Sequence, residues 1–173
     1  MTACAYIQVA RQGRVAQLRV IGRGTFTCAQ VTREFAERAL AQGVRRVIAE
    51  LSDCETMDST FMGTLAMMAI HGRERNAVVE IANANKKIKS VMSALGLDRV
   101  FVFSHTAPGD ITWQSLCRTE GDTEDDRRTL QKTMLEAHET LADVDPNNVP
   151  KFRDVIDFLR TEVEEAQEGE AAP

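Results

Sequence analysis

An acid and two hydroxyls stand side by side at Asp58, Ser59 and Thr60, within the run MDSTFMG from Met57 to Gly63. The apolar stretch Val44 to Leu51 precedes this run and the helix-like Thr64 to His71 follows it, so the three residues fall where a strand hands over to a helix. The first N–H groups of a helix lack intrahelical partners and carry the positive end of its dipole. A phosphate on Ser59 or Thr60 would therefore be tolerated locally, which makes the segment a candidate phosphorylation switch. The competing reading is structural. Asp and Ser are preferred helix N-caps, and Asp58 or Ser59 could simply serve as one.

Other chemistry has less to stand on. Cys4, Cys28, Cys54 and Cys117 are widely spaced without a CxxC pair, and His71, His105 and His138 are not at metal-ligand spacing from them, so no metal and no cofactor are expected. Cys54 lies near a helix start, but Asp53 and Glu55 oppose a lowered thiol pKa, and it is read as structural. No Ser, His and Asp set is close in sequence, and nothing places a histidine beside Ser59. The chain is expected not to be an enzyme. His138 is predicted to be a partly covered packing residue. No nucleotide-cradling GxxxxGKS or GxGxxG pattern is present.

The elements that must position Ser59 are legible from periodicity. Tyr6 to Val9 and Val15 to Ile21 are two β-branched runs separated by a turn-sized interval, which predicts a hairpin. Val31, Phe35, Ala39 and Leu40 recur at helical spacing over Cys28 to Gln42, before Gly43. Val44 to Leu51 suits a buried parallel strand. Phe61, Leu65, Met68 and Ala69 share a helical face from Ser59 to about Glu74, with Met62 and Met67 alongside as core filler. Val78 to Ile81 gives the next strand. Asn83 opens a helix carrying Ile88, Val91, Met92 and Leu95, and Leu97 to Phe103 gives a last strand. A short helix from Asp110 to Cys117 is expected to close the body. The order ββαβαβαβα predicts an α/β fold with a mixed, mostly parallel sheet, whose functional sites lie beyond the carboxyl ends of the strands, where Cys54 to Thr60 fall.

Charge divides the chain. Residues 1–118 carry 15 Lys and Arg against 10 Asp and Glu, whereas residues 119–173 carry 6 against 16, so the body is +5 and the tail −10. The expected organisation is a domain over 1–118, an acidic linker over 119–126 and a helical hairpin over 127–173 with a frayed end. Leu130, Met134, Ala137, His138 and Leu141 form one amphipathic stripe, and Phe152, Val155, Ile156, Leu159 and Val163 a second, with DVDPNNVP between them. So small a hairpin needs another surface, and packing on the body or a dimer mate is favoured. The body's arginines are scattered without interleaved aromatics, so nucleic acid is not an expected partner. No apolar run approaches the roughly 20 residues of a membrane helix, and no charged-then-apolar leader opens the chain, so a cytoplasmic protein without membrane contact is expected.

Element order, the strand-loop-helix around MDSTFMG, the loop IGRGTF at Ile21 to Phe26 and LGLDRVF at Leu95 to Phe101 together resemble a STAS domain of the anti-sigma-factor antagonist type, over about residues 5–118. In that family the motif is typically Asp-Ser, then Ser or Thr, then Gly-Leu-Gly, and its first hydroxyl accepts phosphate. The resemblance carries that role to Ser59. Asp58 and Thr60 match the flanking positions, Phe61 stands where many members have the first glycine, and Gly63 matches the second. The resemblance implies a non-enzymatic regulator that binds an anti-sigma factor or serine kinase of the histidine-kinase-like ATPase fold and is switched off by phosphorylation of Ser59. Asp58, Thr60, Phe61, Met62 and Gly63, with Arg23, Gly24 and Thr25 of the upstream loop, would form the switch and partner surface, and a homodimer is compatible with it. The alternative is a phosphorylation-independent STAS adaptor of a signalling or lipid-transport ATPase complex. Phe61 would then be either a core residue or an interface anchor.

Overall fold

A computed structural model describes residues 6–105, 109, 111–116 and 123–170. Two antiparallel strands, β1 (Tyr6–Gln12) and β2 (Val15–Gly24), open the fold as the expected hairpin, turning at Gly13, whose φ of 59° suits a residue without a Cβ. Helix α1 (Phe26–Ala41) crosses back, and β3 (Arg46–Glu50) pairs parallel with β2. A short strand, β4 (Cys54–Met57), leads into α2 (Ser59–Glu74). Then follow β5 (Val78–Ala82), α3 (Lys86–Ala94), β6 (Val102–Ser104) and β7 (Gln114–Leu116). Two long helices, α4 (Glu124–Val144) and α5 (Val149–Glu170), end the described chain.

The strands form one mixed sheet in the order β6-β5-β3-β2-β1-β7, with β4 added in parallel beside the far end of β2. β2, β3, β5 and β6 run parallel because each connecting helix returns the chain in the same direction. Val47, Ala49 and Leu51 of the central strand region turn one way, into a core shared with Ala29, Ala36, Leu65, Ala69, Ile88 and Met92 of the helices. Period-two alternation in the sheet and period-3.6 stripes in the helices therefore meet in one apolar layer. Glu50 turns the other way. It is 2% exposed, and its carboxylate accepts hydrogen bonds from Arg19 Nε, the Ser52 N–H and hydroxyl, and Asn83 Nδ2 at 3.0–3.2 Å. That set fixes the carboxyl ends of β3 and β5 and the turn that launches β4.

Four segments differ from the sequence reading. Cys54 to Met57 is a strand rather than loop, because its backbone finds the overhang of β2 beyond Gly22. Gln114–Leu116 is a strand where a helix was expected, since the outer edge of β1 offers unpaired groups, with Ile7 opposite Leu116. Asp110 and Cys117, the ends of the expected helix, lie outside the described residues. Leu97 to Arg99 is a single 3₁₀ turn after Gly96, whose φ is 72°, so the strand starts only at Val102. Asn85, not Asn83, caps α3: its side chain accepts from the Ile88 N–H while its amide donates to the Cys54 carbonyl, tying β4 to α3.

The acidic interval read as linker is in part helical. Thr123 and Asp126 form a reciprocal capping box, and Glu124, Asp125 and Asp126 fill the first turn of α4, where the dipole favours negative charge. Residues 119–122 lie outside the described residues. The two amphipathic stripes form the expected hairpin, joined by a 3₁₀ turn at Pro146–Asn148. It packs on the body. α4 lies against α2 and α1, and Ala137, Leu141, Ile156 and Leu159 are buried.

Candidate functional site

Asp58 organises the site. Its backbone N–H donates to the Gly24 carbonyl (3.0 Å), extending the pairing of Gly24 with Met57. Its carboxylate then divides between two helices: Oδ1 accepts from the Phe61 N–H at the start of α2 (2.8 Å) and Oδ2 from the Phe26 N–H at the start of α1 (2.8 Å). Thr25 stands at the α1 cap position but makes no side-chain cap bond, so Asp58 supplies that acceptor from 33 residues away. One carboxylate thus satisfies orphan donors of both helices. This joins the upstream loop of Arg23, Gly24 and Thr25 to the MDSTFMG segment. Gly24 permits the join, because a Cβ there would lie 2.8 Å from the Phe61 ring.

With Asp58 as the cap, Ser59 is the first residue of α2 and is spared that task. It is half-buried, and its Oγ lies 2.9 Å from His138 Nε2 of α4. His138 Nδ1 lies 2.7 Å from the Met134 carbonyl, one turn earlier. A carbonyl only accepts, so Nδ1 donates to Met134, and in the tautomer that carries its proton on Nδ1 the Nε2 atom accepts from the Ser59 hydroxyl. From the sequence alone no histidine is expected by Ser59, and His138 is expected to be a partly covered packing residue. The structure corrects both, since His138 is only 4% exposed and also meets the Phe152 ring edge-on at 5.4 Å. The two residues are 79 positions apart, and only the docking of α4 on α2 brings them together.

The remaining residues of the segment face inward. Thr60 is buried, Phe61 is fully buried in the core beneath Gly24, and Met62 is buried. Of the two roles open to Phe61, the folded chain uses it as core. Gly63 touches α4 directly: a Cβ there would lie 2.4 Å from the Ala137 carbonyl oxygen. At the rim, Arg33 of α1 pairs with Glu136 of α4 (2.5 Å) as well as with Glu37 (2.8 Å), and these carboxylates keep it charged against the opposing effect of its burial. Arg23, Phe26, Asp53 and Glu55 remain exposed around the site.

The nearby thiols, Cys28 and Cys54, are buried. Burial pushes Cys28 up to about 11, aided by the charge of Asp58, and burial likewise raises Cys54. No cluster of three or more His, Cys, Asp or Glu suited to a metal occurs among the described residues. Nor is any helix among them long and apolar enough to cross a membrane.

Comparison with known proteins agrees with this architecture. Residues 7–103 match the family model described as Mlab, STAS domain. A STAS-domain containing protein of Pseudomonas aeruginosa is 25% identical over 92 residues, which span 53% of this chain and 90% of that protein. Among solved structures, the anti-sigma factor antagonist SpoIIAA in its unphosphorylated form superposes with a TM-score of 0.52 at 17% identity, covering 57% of this chain and 87% of its own. A candidate anti-sigma factor antagonist of Thermotoga maritima gives 0.52 at 20% identity, covering 57% and 85%. The family match ends before α4 and α5, so the helix that contributes His138 lies outside it. A mixed α/β sheet matched over more than half the chain places this protein in the STAS domain family.

Proposed function

We propose that the protein is a cytoplasmic, non-enzymatic regulator of the anti-sigma-factor antagonist kind, which binds an anti-sigma factor or serine kinase of the histidine-kinase-like ATPase fold and is released when Ser59 is phosphorylated. The observation that carries this reading is the position of Ser59. It opens α2 beyond the carboxyl end of the sheet, immediately after an Asp58 cap that leaves its hydroxyl free of capping duty. A phosphate there would be compensated by the helix N-terminus within the domain. Toward a partner it would add about −1.5 to −2 charges beside exposed Asp53 and Glu55, enough to repel an acidic surface. The switch is then electrostatic and steric, and the fold of the sheet and its helices α1–α3 persists.

The Ser59 to His138 hydrogen bond favours a second reading, in which the hydroxyl is a structural link and the domain is a constitutive adaptor of a signalling or lipid-transport ATPase complex. Quantitative capture from a lysate of the source organism separates the two, with the bound ATPase-fold protein identified by mass spectrometry. The switch predicts capture by wild type and Ser59→Ala and a loss of about tenfold or more with Ser59→Glu. Equal capture by all three selects the adaptor.

A further inference from the structure

The end of α2 proposed to meet a partner is already covered, and by this chain. Ser59 Oγ is hydrogen-bonded to His138 Nε2, and Gly63 abuts the backbone of Ala137, so α4 lies against Ser59 and over the turn that follows it. The contact is made by complementary parts. The glycine removes the one side chain that would hold the helices apart. Arg33 of the basic body pairs with Glu136 of the acidic tail and lies 3.4 Å from the Thr133 hydroxyl. The hairpin is also fastened away from the site, where the buried Asn148 amide donates to the Leu95 and Leu141 carbonyls at 2.9 and 2.8 Å.

We propose that the α4–α5 hairpin is an in-chain occupant of the partner face, so that Ser59 meets a phosphoryl donor, and α2 meets a partner, only when α4 lifts. This rests on the partner-switching reading and adds a closed state to it. Phosphorylation and docking exclude one another. Transfer of the γ-phosphoryl of ATP by a kinase forms the Ser59 Oγ–P bond, breaks the bond to the ADP oxygen and releases the hydroxyl proton. The product Oγ is an ester oxygen without a proton, and the 2.9 Å between Oγ and His138 Nε2 leaves no room for a tetrahedral phosphoryl group on that side, so α4 must move to admit it. A helix competing for the face must offer a residue no larger than alanine opposite Gly63, since the backbone of α4 already touches that point.

The test needs neither kinase nor ATP, so it can fail independently of the phosphorylation reading. A full-length Ser59→Cys protein is treated with the thiol reagent DTNB, and labelling at position 59 is followed by peptide-resolved mass spectrometry. Two hairpin variants, Ala137→Leu and Phe152→Ala, are added separately to that background. Hydrogen exchange on the β3 and β5 amides confirms that the body stays folded. The closed state predicts a labelling rate about 100-fold or more below that of the guanidinium-unfolded chain, and an increase of about tenfold or more with either hairpin variant. Labelling of Ser59→Cys within a few-fold of the unfolded rate would overturn the proposal. So would an unchanged rate in both hairpin variants once the α4 amides have lost their protection.

Discussion

At the residue scale, one carboxylate and one imidazole account for most of the site. Asp58 caps two helices, so Asp58→Ala should cost about 2 kcal/mol, roughly twice a single cap, in a urea unfolding experiment. The Ser59 and His138 pair should show a coupling of about 1 kcal/mol in a double-mutant cycle of alanine substitutions, the size of one partly buried neutral hydrogen bond. Cys28 gives a pH dependence. Its thiol sits near 11 when folded and 9.0 as the reference value, so between these values the unfolded chain loses a proton that the native chain keeps. Stability from this group is therefore intact below pH 9 and falls as pH rises, by about 2 kcal/mol near pH 11, an effect that Cys28→Ala should remove from the stability-pH profile. Asp58 was readable as a cap because capping is local in sequence. His138 was not readable as a neighbour of Ser59, because its stripe on α4 specifies that a face is buried and not which surface buries it.

At the element scale, long periodic segments were legible and short ones were not. α2 was bounded at Ser59 and Glu74 from its stripe alone, while β4 and β7, of four and three residues, are too short to show alternation and exist because neighbouring edges needed partners. Gly63 shows how an element's role can exceed its motif. Sequence likeness marks it as the second glycine of a family pattern, and the structure adds a second reason, the approach of Ala137. Gly63→Ala should therefore act on the hairpin first. The expected cost is about 1–3 kcal/mol of overpacking. Hydrogen-exchange mass spectrometry should show α4 amides losing protection while β3 and β5 keep theirs. Uniform loss across the sheet would mean that the glycine serves the α2 core instead.

At the scale of the whole molecule, a positively charged body carries a negatively charged helical pair folded back across its α2 face, and the two halves meet through Arg33 and Glu136, Arg99 and Asp145, and Lys151 at the end of α3. The charge division was visible in the sequence. Its consequence, a site covered from within, required the packing. Ser59 is proposed as a phosphate acceptor whose state sets partner binding. The most direct test is to incubate the purified full-length protein with ATP and a lysate of the source organism and to map phosphosites by mass spectrometry, with Ser59→Ala and Thr60→Ala as controls. Phosphate at Ser59, lost in Ser59→Ala and kept in Thr60→Ala, is the predicted result. An unmodified Ser59 in a protein that still captures its ATPase-fold partner would rule out the phosphate-acceptor role and leave the hydroxyl as the link that holds α4 in place.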